Sequence, residues 1–187
     1  METIFRRIAC PIILGLTFCF AVCNSVAAQG GAAGSAATVQ GDLLKDWQAQ
    51  KNTVMGIADA MPADKFGYKA TPAERSYGEQ VMHVALINVA LLKLVGGKAT
   101  VPSFTTQSAT TKEQMIKALA DSYDYGTALL QEHTDTTLTQ TITGPQFLGP
   151  STRARIFWFL MSHSMDTYGQ MVVYLHLNDI VPPASRK

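Results

Sequence analysis

At 187 residues, with 47% hydrophobic and 16% charged residues, the chain has the balance of a single globular domain. Its formal net charge of +1 excludes the basic stripe of a nucleic-acid binder, so no nucleic-acid partner is expected. The three cysteines, Cys10, Cys19 and Cys23, all fall within a leader-like N-terminus, so the processed chain is expected to lack a disulfide, a thiolate nucleophile and a cysteine-zinc site.

The N-terminus places Arg6 and Arg7 before an apolar run from Ile8 to Val22, followed by the small-residue stretch Asn24-Ser25-Val26-Ala27-Ala28. That order predicts a secretory signal peptide over residues 1–28, cut after Ala27 or Ala28, and hence an exported, periplasmic or extracellular protein. The bulky Val22 ahead of Cys23 argues against a lipid-anchor signal. The apolar run is shorter than the roughly 18 to 20 residues a helix needs to span a bilayer, and no later segment is expected to reach that length. No membrane span is expected after cleavage. Loss of Glu2, Arg6 and Arg7 brings the formal net charge to zero.

Residues 29–41, rich in glycine and alanine, predict a flexible linker, and residues 42–185 the folded domain. A first helix is expected from Asp42 to Ala60, with Leu44, Trp47, Val54, Ile57 and Met61 at helical spacing, stopped by Pro62. A loop follows in which Phe66 and Tyr68 are expected to tuck against the core. Ser76-Tyr77-Gly78-Glu79 is a capping box and predicts a second helix to about Val95. Thr110-Thr111-Lys112-Glu113-Gln114 signals a third, carrying Met115, Leu119, Tyr123, Leu129 and Leu130 to about His133.

Residues 137–143 are compatible with a short extended stretch but have no evident partner run. The last helix is expected from Ser151 to Leu177 or Asn178, ended by Pro182 and Pro183. Four amphipathic helices predict an all-α four-helix bundle. Its long connections leave a crossover topology open.

Two histidines fall on apolar stripes. His83 shares a face with Gln80, Ile87 and Leu94, and His163 shares one with Ile156, Leu160, Thr167 and Tyr174. Inward imidazoles on facing helices suit a divalent metal, but a stable site needs at least three protein ligands. Asp166, three residues after His163, is the strongest extra donor nearby. The plainer alternative is a pair of hydrogen-bonded core histidines. His133 lies near a helix end, and His176 lies about 220° around the helix from His163, so neither joins that face. Tyr168 and Gln170 are placed beside the cavity, Gly169 is read as a close-packing position, and Trp47, Phe157, Trp158 and Phe159 as core or interface residues.

Ser76-Tyr-Gly-Glu-Gln-Val-Met-His83, His163 with Tyr168-Gly-Gln-Met-Val-Val-Tyr-Leu175, and Asn178-Asp-Ile-Val-Pro-Pro-Ala-Ser185 together resemble the DinB-like family of metal-binding four-helix bundles, from about Leu43 to Ser185. The resemblance implies a divalent metal, nickel or zinc, held by three histidines. One ends the first motif, and two lie four residues apart on the last helix. His83 and His163 match two of these positions, and Thr167 stands at the third. Three outcomes then stay open: Asp166 is a substitute ligand, a water fills the gap, or the site binds no metal; Asp166 is equally placed as a partner that orients His163.

Family activities include thiol-dependent transferases and isomerases, yet small thiol cofactors belong to the reducing cytosol, which the leader exits. The expected function is therefore an exported, non-catalytic module with a partial His83/His163 metal site and a small-molecule ligand. The alternative is a secreted metal-dependent hydrolase or transferase that activates water or substrate at the same centre. A homodimer is expected by analogy with other helix bundles.

Overall fold

The computed structural model describes residues 37–186. The expected signal peptide and most of the linker lie outside them. Four long helices form the domain: α1 (Val39–Ala60), α2 (Tyr77–Val95), α3 (Lys112–Glu132) and α5 (Arg153–His176). A one-turn helix, α4 (Asp135–Leu138), and a two-stranded antiparallel ribbon, β1 (Thr141–Ile142) with β2 (Ser151–Thr152), fill the connection from α3 to α5.

Each start follows from a cap. α1 begins three residues earlier than the apolar periodicity suggests, because the Thr38 hydroxyl accepts from the Gly41 amide at 2.9 Å and Asp135 accepts from the Gln40 amide at 2.8 Å. The capping boxes at Ser76/Glu79 and Thr111/Gln114 are both formed. At its other end α2 stops on Gly96, whose φ of 73° suits glycine, and the Gly96 carbonyl bonds to His133 Nε2 at 3.0 Å. His133 thus ties two helix ends together.

The helices pack in the cyclic order α1, α3, α2, α5, so the consecutive pairs α1/α2 and α3/α5 lie across the bundle diagonals. The two long connections that cross those diagonals realise the crossover topology. α2 and α5 are antiparallel. Tyr174 Oη donates to the Arg75 carbonyl at 2.6 Å at one end, Gln80 Nε2 donates to Gln170 Oε1 at 2.9 Å, and Arg153 Nε donates to the Val95 carbonyl at 2.8 Å at the other. This register brings His83 opposite His163.

The core centres on Trp47, fully buried between Tyr123 (ring centroids 4.8 Å apart) and Phe157 (5.4 Å), with its indole N–H donating to the Tyr123 carbonyl at 2.9 Å. Burial pushes the Tyr123 hydroxyl up to about 12. Phe66 is buried and Tyr68 packs against the core as expected. The expectation that no later segment is long enough is corrected: by length and composition α2 is apolar enough to cross a membrane, and 61% of the relevant stretch is buried within this fold.

Two further expectations are corrected. The extended residues near 141 do have a partner, because Ser151 and Thr152 form β2 instead of opening the last helix, which starts at Arg153. Gly169 faces open space, with nothing within 4 Å of the point a Cβ would occupy, whereas Gly126 is the close-packing glycine, pressed against the Trp47 indole. Of the residues expected in the core or at an interface, Trp47 and Phe157 are in the core, and Trp158 is 52% exposed.

Candidate functional site

His83 lies two turns beyond the α2 N-cap, where the capping box fixes the helix start. Ser76 N–H donates to Glu79 Oε2 at 2.6 Å, and this bond, with help from Lys69, holds the Glu79 carboxyl below its usual range. Across the α2/α5 seam the His83 and His163 rings meet edge to face, centroids 4.9 Å apart at 70°. Phe159, one turn before His163 on α5, stacks parallel to the His163 ring at 6.0 Å and 5°. Phe147 from the preceding loop covers Phe159 at 5.3 Å. A run of rings therefore leads from the surface to the histidine pair.

Both histidines are half-buried, and both are less basic than an ordinary imidazole. For His83, burial is the main cause, followed by the Arg75 cation and His163. For His163, burial again dominates, Asp166 opposes it, and Arg75 reinforces it. Neutral imidazoles are the form that ligates metal. His163 Nε2 is moreover buried without a hydrogen-bond partner among the described residues. A buried, unpaired ring nitrogen is costly unless something accepts or coordinates it.

The other expected donors are placed differently. Asp166 is exposed, and its Oδ2 accepts from Gln170 Nε2 at 3.0 Å. Gln170 in turn accepts from Gln80, so a chain of side-chain amides holds the carboxylate alongside the pair. Thr167 is buried, and its hydroxyl donates to the His163 carbonyl at 3.3 Å. Among the described residues no three histidine, cysteine or acidic side chains gather at one point. The donor set therefore falls short of the three-ligand centre that the family resemblance implies.

Residues the sequence did not single out complete the surroundings. A cleft of about 700 Å³ opens beside His83, lined by Lys69, Arg75, Met82, Leu86 and Met115 among others. Arg75 comes to act on His163 only through the α2/α5 register, for which no local sequence pattern exists.

A sequence profile of the DinB superfamily matches residues 47–171, a span that holds His83, His163, Asp166 and Thr167. The chain belongs to the DinB superfamily. Solved DinB-like proteins share the fold. One from Bacillus cereus is 17% identical with a TM-score of 0.63, covering 78% of this chain and 96% of its own. Another, from Bacillus subtilis, is 15% identical with a TM-score of 0.57, covering 74% and 92%. No curated protein sequence matches significantly. Within this DinB-like bundle the histidine pair stands where α2 and α5 face each other.

Proposed function

We propose that this DinB-like protein is an exported small-ligand-binding module that keeps a partial divalent-metal site, His83 with His163, and lacks the ligand set of a metalloenzyme. The observation that carries this reading is the meeting of the two imidazoles with His163 Nε2 unpaired, next to a Thr167 hydroxyl spent on its own helix. A nickel or zinc ion held there would supply Lewis-acid character, and its remaining coordination positions would fall to water or ligand. Asp166 acts as a positioning residue, raising the basicity of His163 from a tethered place on the same helix. The cleft beside His83 has the volume of a small-molecule site. Export is supported by the leader-like order of Arg6, Arg7, the apolar run and Ala28.

Zinc titration followed through the histidine side-chain NMR signals tests the site. The reading predicts that the resonances of His83 and His163 shift together while those of His133 and His176 stay in place. Shifts confined to His133 or His176, or none at all, would remove the metal site. N-terminal sequencing of the protein recovered outside the cytoplasm tests export, with a start at residue 28 or 29 expected and an intact Met1 opposing it.

A further inference from the structure

Helix α5 carries a second stripe, turned away from the core. At about 100° per residue the buried Leu160, Thr167, Met171 and Tyr174 mark its inward face. Trp158, Ser162, Met165, Gly169, Val173 and His176, all exposed, stand on the opposite one. They recur at steps of three and four, the spacing of a helix–helix seam. No acidic side chain, lysine or arginine falls among them, whereas the other long helices expose charge: Lys45 and Asp46 on α1, Glu79 and Lys93 on α2, Lys117 and Asp124 on α3. Phe147, packed on Phe159, and Leu177 prolong the apolar surface toward its two ends, and both are exposed. A continuous apolar patch of this kind marks an interaction surface.

We propose that this face of α5 is the interface of a homodimer, two copies packing α5 against α5 antiparallel about a two-fold axis at the level of residue 167. The analogy with other helix bundles names no face, and α5 supplies one. Three features select a second copy as the occupant. The first is shape. Met165 stands out from the middle of the stripe, and Gly169, one turn on, has nothing within 4 Å of the point a Cβ would occupy. In this register Met165 of each copy enters the notch over Gly169 of the other, so one surface provides both knob and hole. Trp158 falls opposite His176, and the Phe147 and Phe159 end of one copy meets Val173 and Leu177 of the other.

The second feature is charge. Arg155 lies at one end of the stripe and Asp179 just beyond the other, both exposed and neither in an ion pair among the described residues. Antiparallel order brings these opposite charges to the same level. Asp166 flanks the stripe, but Gln170 Nε2, farther round the helix, holds its carboxylate to the side at 3.0 Å. The third is area. With aromatic side chains of roughly 150–250 Å² about half exposed, the patch offers on the order of 700 Å² per copy, close to the roughly 800 Å² that a stable dimer buries on each partner.

Sedimentation equilibrium of the tag-free protein tests it. At about 100 μM the wild type is expected to be dimeric, with a dissociation constant of about 10 μM or tighter. Met165→Glu sets two like charges into the seam and is expected to weaken association at least about 100-fold, while Leu94→Glu, at an exposed apolar position on α2, leaves it unchanged. Gly169→Ala fills the notch and is expected to weaken the dimer about tenfold while stabilising the separated chain, a split that a role inside one chain would not produce. All three positions are exposed, so the variants are expected to fold, which circular dichroism verifies. A wild type that stays monomeric at about 100 μM gives the face to another occupant, such as a lipid surface, and overturns the assignment. A dimer that survives Met165→Glu, or that Leu94→Glu dissociates equally, places the interface elsewhere and overturns it as well.

Discussion

The Thr167 hydroxyl donates to the carbonyl oxygen of His163, one helical turn back, so the side chain at the position that the family resemblance gives to a third histidine has its one proton spent on its own helix. Thr167→His should supply the absent donor. Zinc or nickel affinity by calorimetry is expected to rise by at least about tenfold, equivalent to roughly 1.4 kcal/mol. Because position 167 is only 2% exposed, the larger ring should lower the stability of the metal-free protein by roughly 1–3 kcal/mol, and metal should restore it. An unchanged affinity would show that residue 167 does not point toward the site.

Two glycines separate packing from propensity. A methyl at position 126 collides with the Trp47 indole, so Gly126→Ala is expected to cost roughly 1–3 kcal/mol in urea denaturation. Position 169 is helical and meets nothing, so Gly169→Ala should stabilise by roughly 0.5–1 kcal/mol. A destabilising Gly169→Ala would restore the close-packing role that the sequence suggests.

Acid should weaken the fold through the histidine pair. Both folded-state pKa values lie below the ordinary 6.5, so the unfolded chain binds these protons more readily. The stability that the neutral imidazoles contribute is fully present above about pH 6.5 and is lost as pH falls through their depressed folded values. Melting temperature measured from pH 8 to pH 4.5 should fall across that window. His83→Gln with His163→Gln should flatten the slope. An equally steep fall in the double variant would assign the acid sensitivity to other groups.

The Tyr174 hydroxyl anchors the loop before α2 to α5. Tyr174→Phe removes one hydrogen bond and is expected to cost about 1 kcal/mol. Hydrogen exchange should show faster opening near Arg75 with little change at Val95, at the far end of the same seam. Uniform acceleration along α2 would indicate that the bond supports the whole bundle.

Much of this was legible in the sequence because it is encoded locally. The Ser76/Glu79 box marks a helix start within four residues, and His83 and His163 announce inward faces through their apolar neighbours at three- and four-residue spacing. What was not legible depends on partners distant in the chain. The two-residue strands have no periodicity to read, and Thr141 pairs with Thr152 only because the Pro145–Gly149 turn returns the chain. Gly126 and Gly169 look alike in sequence, and only the position of Trp47 tells them apart. Asp166 sits at the right spacing to approach His163, yet Gln170, four residues on, claims its carboxylate. Arg75 carries no motif at all.

The central claim is that the histidine pair is a real but incomplete metal site. Elemental analysis of tag-free protein after exhaustive dialysis against metal-free buffer tests it most directly, comparing the wild type with His83→Ala and Thr167→His, each first loaded with zinc. The account predicts that the wild type loses its ion, as His83→Ala does, while Thr167→His retains one per chain. A wild type that keeps one equivalent of zinc, lost in His83→Ala, would mean that the site is complete as it stands and would contradict the account.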